Sequence, residues 1–84
     1  MYIHLGNNCI IPFADIVAIL NIDPPISRDI KEIIEIAKTE KKLFNVSEKG
    51  KEKAVIICTE KVFLSPISST TLLRRANNFC SREV

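Results

Sequence analysis

Apolar and polar positions along the 84-residue chain change period several times, and each change predicts an element. "MYIHL" alternates as a half-buried strand does, "GNN" at 6–8 marks a turn, and "CIIP" reads as the returning strand of an N-terminal hairpin. "ADIVAILNI", residues 14–22, fits a buried strand or a short helix by periodicity alone. Its Ile and Val content, its brevity and the stop at "DPP" favour the strand. Beyond Pro24 and Pro25 the period becomes helical. Ile30, Ile33, Ile34 and Ala37 share one face, Arg28, Lys31, Glu32, Glu35 and Lys38 stay wet, and Ile36 falls partly off the stripe. Ser27 is placed to cap this helix, Asp29 suits its positive start, and Lys38, Lys41 and Lys42 suit its negative end.

"LFNV", "AVIIC" and "VFLS" then read as short strands separated by the turns "SEKGKEK" and "TEK", and a closing helix is expected from about Ser68. Its apolar stripe comprises Leu72, Leu73, Ala76, Phe79 and Cys80, with Arg75, Asn78 and Arg82 on the polar side. The order βββαβββα predicts a single α+β domain over residues 1–84, a small, mainly antiparallel sheet with two helices. "AVIIC" and "VFLS" are apolar on both faces, so they are expected at the centre of the sheet or covered twice. With only two helices to hand, a neighbouring subunit is one source of the second cover.

Composition adds a bound: at 46% hydrophobic and 26% charged residues the chain is a folding one. A chain of this length buries one small core. Its Val, Ile and Leu content therefore points to surplus apolar surface and to a homo-oligomer. No apolar run approaches the roughly 18 residues of a membrane span, and the N-terminus lacks a basic segment followed by a hydrophobic one. Cys9, Cys58 and Cys80 are widely spaced without a C-x-x-C, as fits small apolar residues in a reducing compartment. A cytoplasmic protein without membrane association is expected.

Candidate chemistry is sparse. His4, the only histidine, shares a strand face with Tyr2 and is expected at or near the surface. A zinc site from His4, Cys9, Cys58 and Cys80 would lack the usual close pairing of ligands. Gly6 and Gly50 build no phosphate-cradling loop, and "SPISSTT" lies where a helix cap belongs, which explains its hydroxyls better than a nucleophile does. No enzyme activity, metal or cofactor is expected. Charge placement remains. The net charge is only +2, so position decides. Lys49, Lys51 and Lys53 share parity, and in an extended chain they project to one side, where they could meet phosphates. Glu48, Glu52 and Glu60 dilute their field. A solvated hairpin tip and a phosphate-facing edge both stay open on these residues.

The opening "MYIHLGNNCIIPFADIVAIL", the block "KGKEKAVIIC" and the ending "VFLSPISSTTLLRRANNF" together resemble the bacterial extracellular matrix regulator (RemA/RemB) family, and within it the RemB type, over nearly the whole chain. The resemblance implies a small transcriptional regulator of biofilm-matrix genes that binds double-stranded DNA and assembles into a ring. Lys51 and Lys53 occupy two places of the family's basic turn, Gly50 stands where another arginine is found, and Asp15 matches an arginine ahead of the third strand. Arg75 matches a basic position of the last helix. Lys49, Lys51, Lys53, Arg74 and Arg75 are thus the implied DNA-binding residues. Lysine lacks arginine's bidentate fork, so backbone contact is expected rather than base readout. The alternative is a structural or regulatory assembly partner with weak or no DNA binding, acting with a RemA-like protein.

Overall fold

The N-terminal alternation forms the hairpin it predicts in the computed structural model, which describes residues 2–22 and 24–81, with side chains as far as 76. Strand β1 (Tyr2–Gly6) pairs antiparallel with β2 (Cys9–Pro12). Asn7 and Asn8, at φ 44° and 64°, give the two left-handed residues of a type I′ turn. Gly6, at φ 108°, lies so close to Pro66 that an added Cβ would stand 3.2 Å from its Cγ. The hairpin is its own two-stranded sheet. Ile3, Leu5 and Ile11 point inward, while Tyr2, His4, Ile10 and Pro12 face solvent.

A second sheet contains the remaining strands, β3 (Ile16–Asn21), β4 (Leu43–Asn45), β5 (Ala54–Cys58) and β6 (Val62–Ser65), in the spatial order β3-β5-β6-β4. Only the β4–β6 pair is parallel. The strand expected over 14–22 begins later, at Ile16. Phe13–Asp15 forms a 3₁₀ turn instead, closed by the Ile16 amide on the Phe13 carbonyl. The helices are α1 (Arg28–Thr39) and α2 (Ser69–Ser81), completing the βββαβββα order.

The two apolar central strands occupy the middle of the sheet, and each face has a cover. Ala54, Ile56 and Phe63 pack with Ile3, Leu5 and Ile11 of the hairpin and Leu72 and Ala76 of α2. On the other face Val55, Val62 and Leu64 pack with Ala37, Ile30 and Ile34 of α1. Both covers thus come from within the chain. Ile36 stays 53% exposed, off the stripe as its spacing predicts. Leu73, assigned to the stripe of α2, is instead 45% exposed. The helix rests on the line through Leu72 and Ala76, and the next residue is turned about 100° away from that line. Asn78, Phe79 and Cys80 lie beyond the described side chains, and Arg82 lies outside the described residues.

Ser27 caps α1 by accepting a hydrogen bond from the Ile30 amide at 3.3 Å. Ser68 caps α2 by accepting one from the Thr71 amide at 3.2 Å. Ser65 has a different role. It is fully buried, its hydroxyl donates to the Leu5 carbonyl at 2.7 Å, and it accepts from the Ile67 amide at 3.0 Å. The β1–β2 ladder slips between His4 and Gly6, so Leu5 needs this partner from outside the hairpin.

Ser65→Ala should therefore cost about 1–3 kcal/mol by orphaning two main-chain groups, more than the roughly 1 kcal/mol of Ser68→Ala at a half-buried cap. Thermal unfolding followed by circular dichroism checks the order, and an equal or smaller loss for Ser65→Ala would refute it.

Candidate functional site

Residues 46–53 form the basic turn, and both of its ends are pinned to the sheet. The Val46 amide donates to the Leu64 carbonyl at 2.9 Å, the Lys53 amide to the Ser65 carbonyl at 2.8 Å, and the Ile22 amide to the Lys53 carbonyl at 3.2 Å. The Asn7 side-chain amide donates to the Val46 carbonyl, tying the hairpin tip to the same place. Between these anchors the Lys51 amide donates to the Glu48 carbonyl at 3.0 Å, closing a reverse turn with Lys49 and Gly50 at its corners. Gly50 has φ 86°, the left-handed third residue of a type II turn.

Asn45 and Glu52 brace the turn from inside. Asn45 Oδ1 accepts from the Ser47 amide at 2.9 Å and the Ser47 hydroxyl at 2.8 Å. Glu52 Oε1 accepts from Asn45 Nδ2 at 3.2 Å and the Gly50 amide at 3.1 Å. These bonds depress the Glu52 carboxyl below its ordinary value of 4.5. Its own backbone amide contributes most, ahead of Asn45 and Gly50, with the charge of Lys49 adding and partial burial opposing. Sequence reasoning treated Glu52 only as a diluting charge and passed over Asn45. The Asn-x-Ser spacing before a glycine turn was the available signal.

Lys49, Lys51 and Lys53 are all exposed, but they do not share one extended run. The turn at Gly50 intervenes after Lys49, so the parity argument can hold only for Lys51 and Lys53. Lys51 Nζ lies 3.2 Å from Glu48 Oε2, with both side chains at least 70% exposed. Such a pair contributes about 0–1 kcal/mol and exchanges readily for another anion. Arg74 and Arg75 are exposed on α2, and Arg75 Nη1 donates to the His4 carbonyl at 3.0 Å. That bond to a neutral acceptor leaves the guanidinium charge in place while fixing α2 against β1.

Asp15 lies away from the lysines. It precedes β3 at the Ile16–Cys58 pairing, at the end of β5 opposite Lys53. Five residues of strand separate those ends, about 16 Å, roughly twice the Debye length at physiological salt. An acid there does not cancel the field of the turn. Asp15 acts instead on Cys58, whose thiol is pushed up to about 11, first by burial and then by Asp15 and Cys9. Burial also raises Cys9, against the pull of Lys61. Both thiols stay protonated at neutral pH and pack against the core. Among the described residues no three of His, Cys, Asp and Glu gather in a group that could hold a metal. No described helix is long and apolar enough to cross a membrane.

A sequence model of the RemA-like family, described as extracellular matrix regulatory protein A-like, matches residues 2–76, which include the turn, its braces and both arginines. The chain belongs to the RemA-like family. A relative in this family, extracellular matrix regulatory protein B of Bacillus subtilis (strain 168), is 33% identical over 76 residues, covering 90% of each chain. The lysine turn of this RemA-like chain is therefore part of a domain shared along nearly its whole length.

Glu52 makes the turn sensitive to acid. A carboxyl depressed in the folded state stabilises the fold above its unfolded value and loses that contribution as pH falls through the folded one. The bracing should be complete above about pH 4.5 and lost below it. In an NMR titration the Gly50 amide shift should move with a midpoint below 4.5, and Glu52→Gln should abolish that movement; a midpoint at or above 4.5 contradicts the assignment.

Proposed function

We propose that this RemA-like chain is a small, oligomeric DNA-binding regulator of extracellular-matrix genes, acting in the cytoplasm and without enzymatic activity. The observation that carries the reading is the braced turn, which displays Lys49, Lys51 and Lys53 from a loop anchored at both ends. A preorganised loop loses little entropy on binding, so weak ammonium–phosphate contacts are not offset by ordering the chain. Each contact releases counterions, and repetition around an assembly, a ring in this reading, multiplies them. Arg74 and Arg75 extend the cationic set from α2. Lysine-led contact to the backbone gives affinity and positioning, with any sequence preference arising from DNA shape. The name of the Bacillus subtilis relative, a matrix regulatory protein, supports the regulatory half of the reading.

Self-association is supported by apolar groups that the fold leaves uncovered. Tyr2 and Ile10 on the outer face of the hairpin are 63% and 58% exposed, and Val17 on the edge strand is 65% exposed. Exposed apolar groups of this size on an outer face and a sheet edge suit contact with a second copy.

One observation favours a second reading, an assembly partner with weak or no DNA binding that acts with a RemA-like protein. The turn holds three lysines against Glu48 and Glu52, a local net charge of only +1 over 47–53.

Fluorescence anisotropy with duplex DNA at two salt concentrations separates the two. The regulator should bind at low salt, and Lys51→Glu with Lys53→Glu should weaken binding at least about tenfold and flatten the salt dependence. Absence of binding at low salt, with a multi-subunit particle in light scattering, would select the second reading.

A further inference from the structure

A second basic cluster lies at the opposite end of the sheet from the lysine turn. It is assembled from the end of α1 and the start of β6. The Lys42 amide donates to the Ala37 carbonyl at 2.8 Å and the Lys41 amide to the Lys38 carbonyl at 3.1 Å. These paired bonds are a Schellman termination of α1. The Val62 amide then donates to the Lys42 carbonyl at 2.9 Å, which draws Lys61 beside Lys42. Leu43 and Val62 are partners in the parallel pair, so Lys42 and Lys61 precede adjacent strands that run roughly 4.8 Å apart. Lys61 Nζ lies 5.4 Å from the ring centroid of Phe44, which is 44% exposed and stacks on Phe63.

Lys38, Lys41, Lys42 and Lys61 are all exposed and stand against Glu40, Glu60 and Asp15, whose carbonyl takes the Thr59 amide at 3.0 Å, a local net charge of +1, equal to that of the turn. Lys42 meets Glu40 at 3.6 Å, but both side chains are more than half exposed and the pair is readily exchanged. The negative end of α1 accounts for Lys38 and Lys41 being tolerated there. It does not account for Lys61, which arrives from a distant part of the chain. Nor does it account for the backbone of Lys41, at φ 60°, where the termination favours glycine and a side chain is strained.

We infer that Lys41, Lys42 and Lys61, supported by Lys38, form a second phosphate-binding edge for duplex DNA, distinct from the turn at residues 47–53. The inference rests on the DNA-binding reading and enlarges it. The two edges flank β6, about 13 Å apart along the strand, so each subunit presents phosphate-binding groups at both ends of its sheet. Duplex DNA fits this edge better than a lipid surface. The apolar side of α1 is turned onto the sheet, and Ile36 and Phe44 alone make a shallow anchor for a bilayer.

Three full-length variants test this by anisotropy with duplex DNA across a salt series, beside vesicles of phosphatidylglycerol. Lys42→Gln with Lys61→Gln should weaken DNA binding about tenfold at low salt and reduce the salt slope by about 1.8, two phosphates at about 0.9 each. Lys41→Gly should raise the melting temperature, since the strain is relieved, yet weaken DNA binding. That opposed pair of changes is one a purely structural lysine would not produce. The third variant, Lys51→Glu with Lys53→Glu, reports on the turn alone. If only this variant loses DNA, the second edge is overturned and the turn reading stands. If only the Lys42 and Lys61 variant loses it, the second edge stands and the turn reading falls. Unchanged DNA binding by that variant together with lost vesicle binding would overturn the inference in favour of a membrane surface. A wild-type chain that binds no DNA overturns both.

Discussion

Burial of the two central strands from both sides is the constraint on which the rest of this structure depends. Val55, Ile56, Val62, Phe63 and Leu64 leave no polar face to offer water, so β5 and β6 can exist only between two covers. One helix covers one face. The other is too wide for α2 alone, and the hairpin folds over beside it. The separate two-stranded ladder at the N-terminus is thus a lid on the sheet.

Seating that lid creates a polar problem, and Ser65 solves it. The inward side of the hairpin is apolar except for main-chain groups, and the slipped register at Leu5 leaves a carbonyl without a strand partner. A hydroxyl at the last position of β6 is short enough to remain buried and still reach both that carbonyl and the Ile67 amide. The same end of β6 receives the Lys53 amide, and Asn7 of the hairpin reaches Val46. Lid, central strand and basic turn therefore meet at one junction, where packing of the core positions the exposed cations.

Much of this was legible from local pattern. Element order, the central place of the doubly apolar strands, the caps at Ser27 and Ser68 and the exposure of Ile36 all follow from the period and identity of neighbouring residues. The candidate site was legible as a basic turn and poorly legible as a shape. Parity assumes an extended chain, and Gly50 breaks that assumption between Lys49 and Lys51. Glu52 looks like a simple diluting charge until its oxygen is seen bound to Asn45 and the Gly50 amide.

The sequence by itself determined the elements, their order and the need for two covers, because hydrophobic periodicity is a short-range property that each segment carries alone. Tertiary structure decided which cover lies on which face, that the hairpin forms its own sheet, and that Asp15 stands a strand's length from the lysine turn. It also drew Lys61 to Lys42 through the parallel β4–β6 pair, an adjacency between residues nineteen positions apart. Such relations depend on strand order, and strand order is settled by how all the apolar faces are buried at once. No local window of residues contains that information.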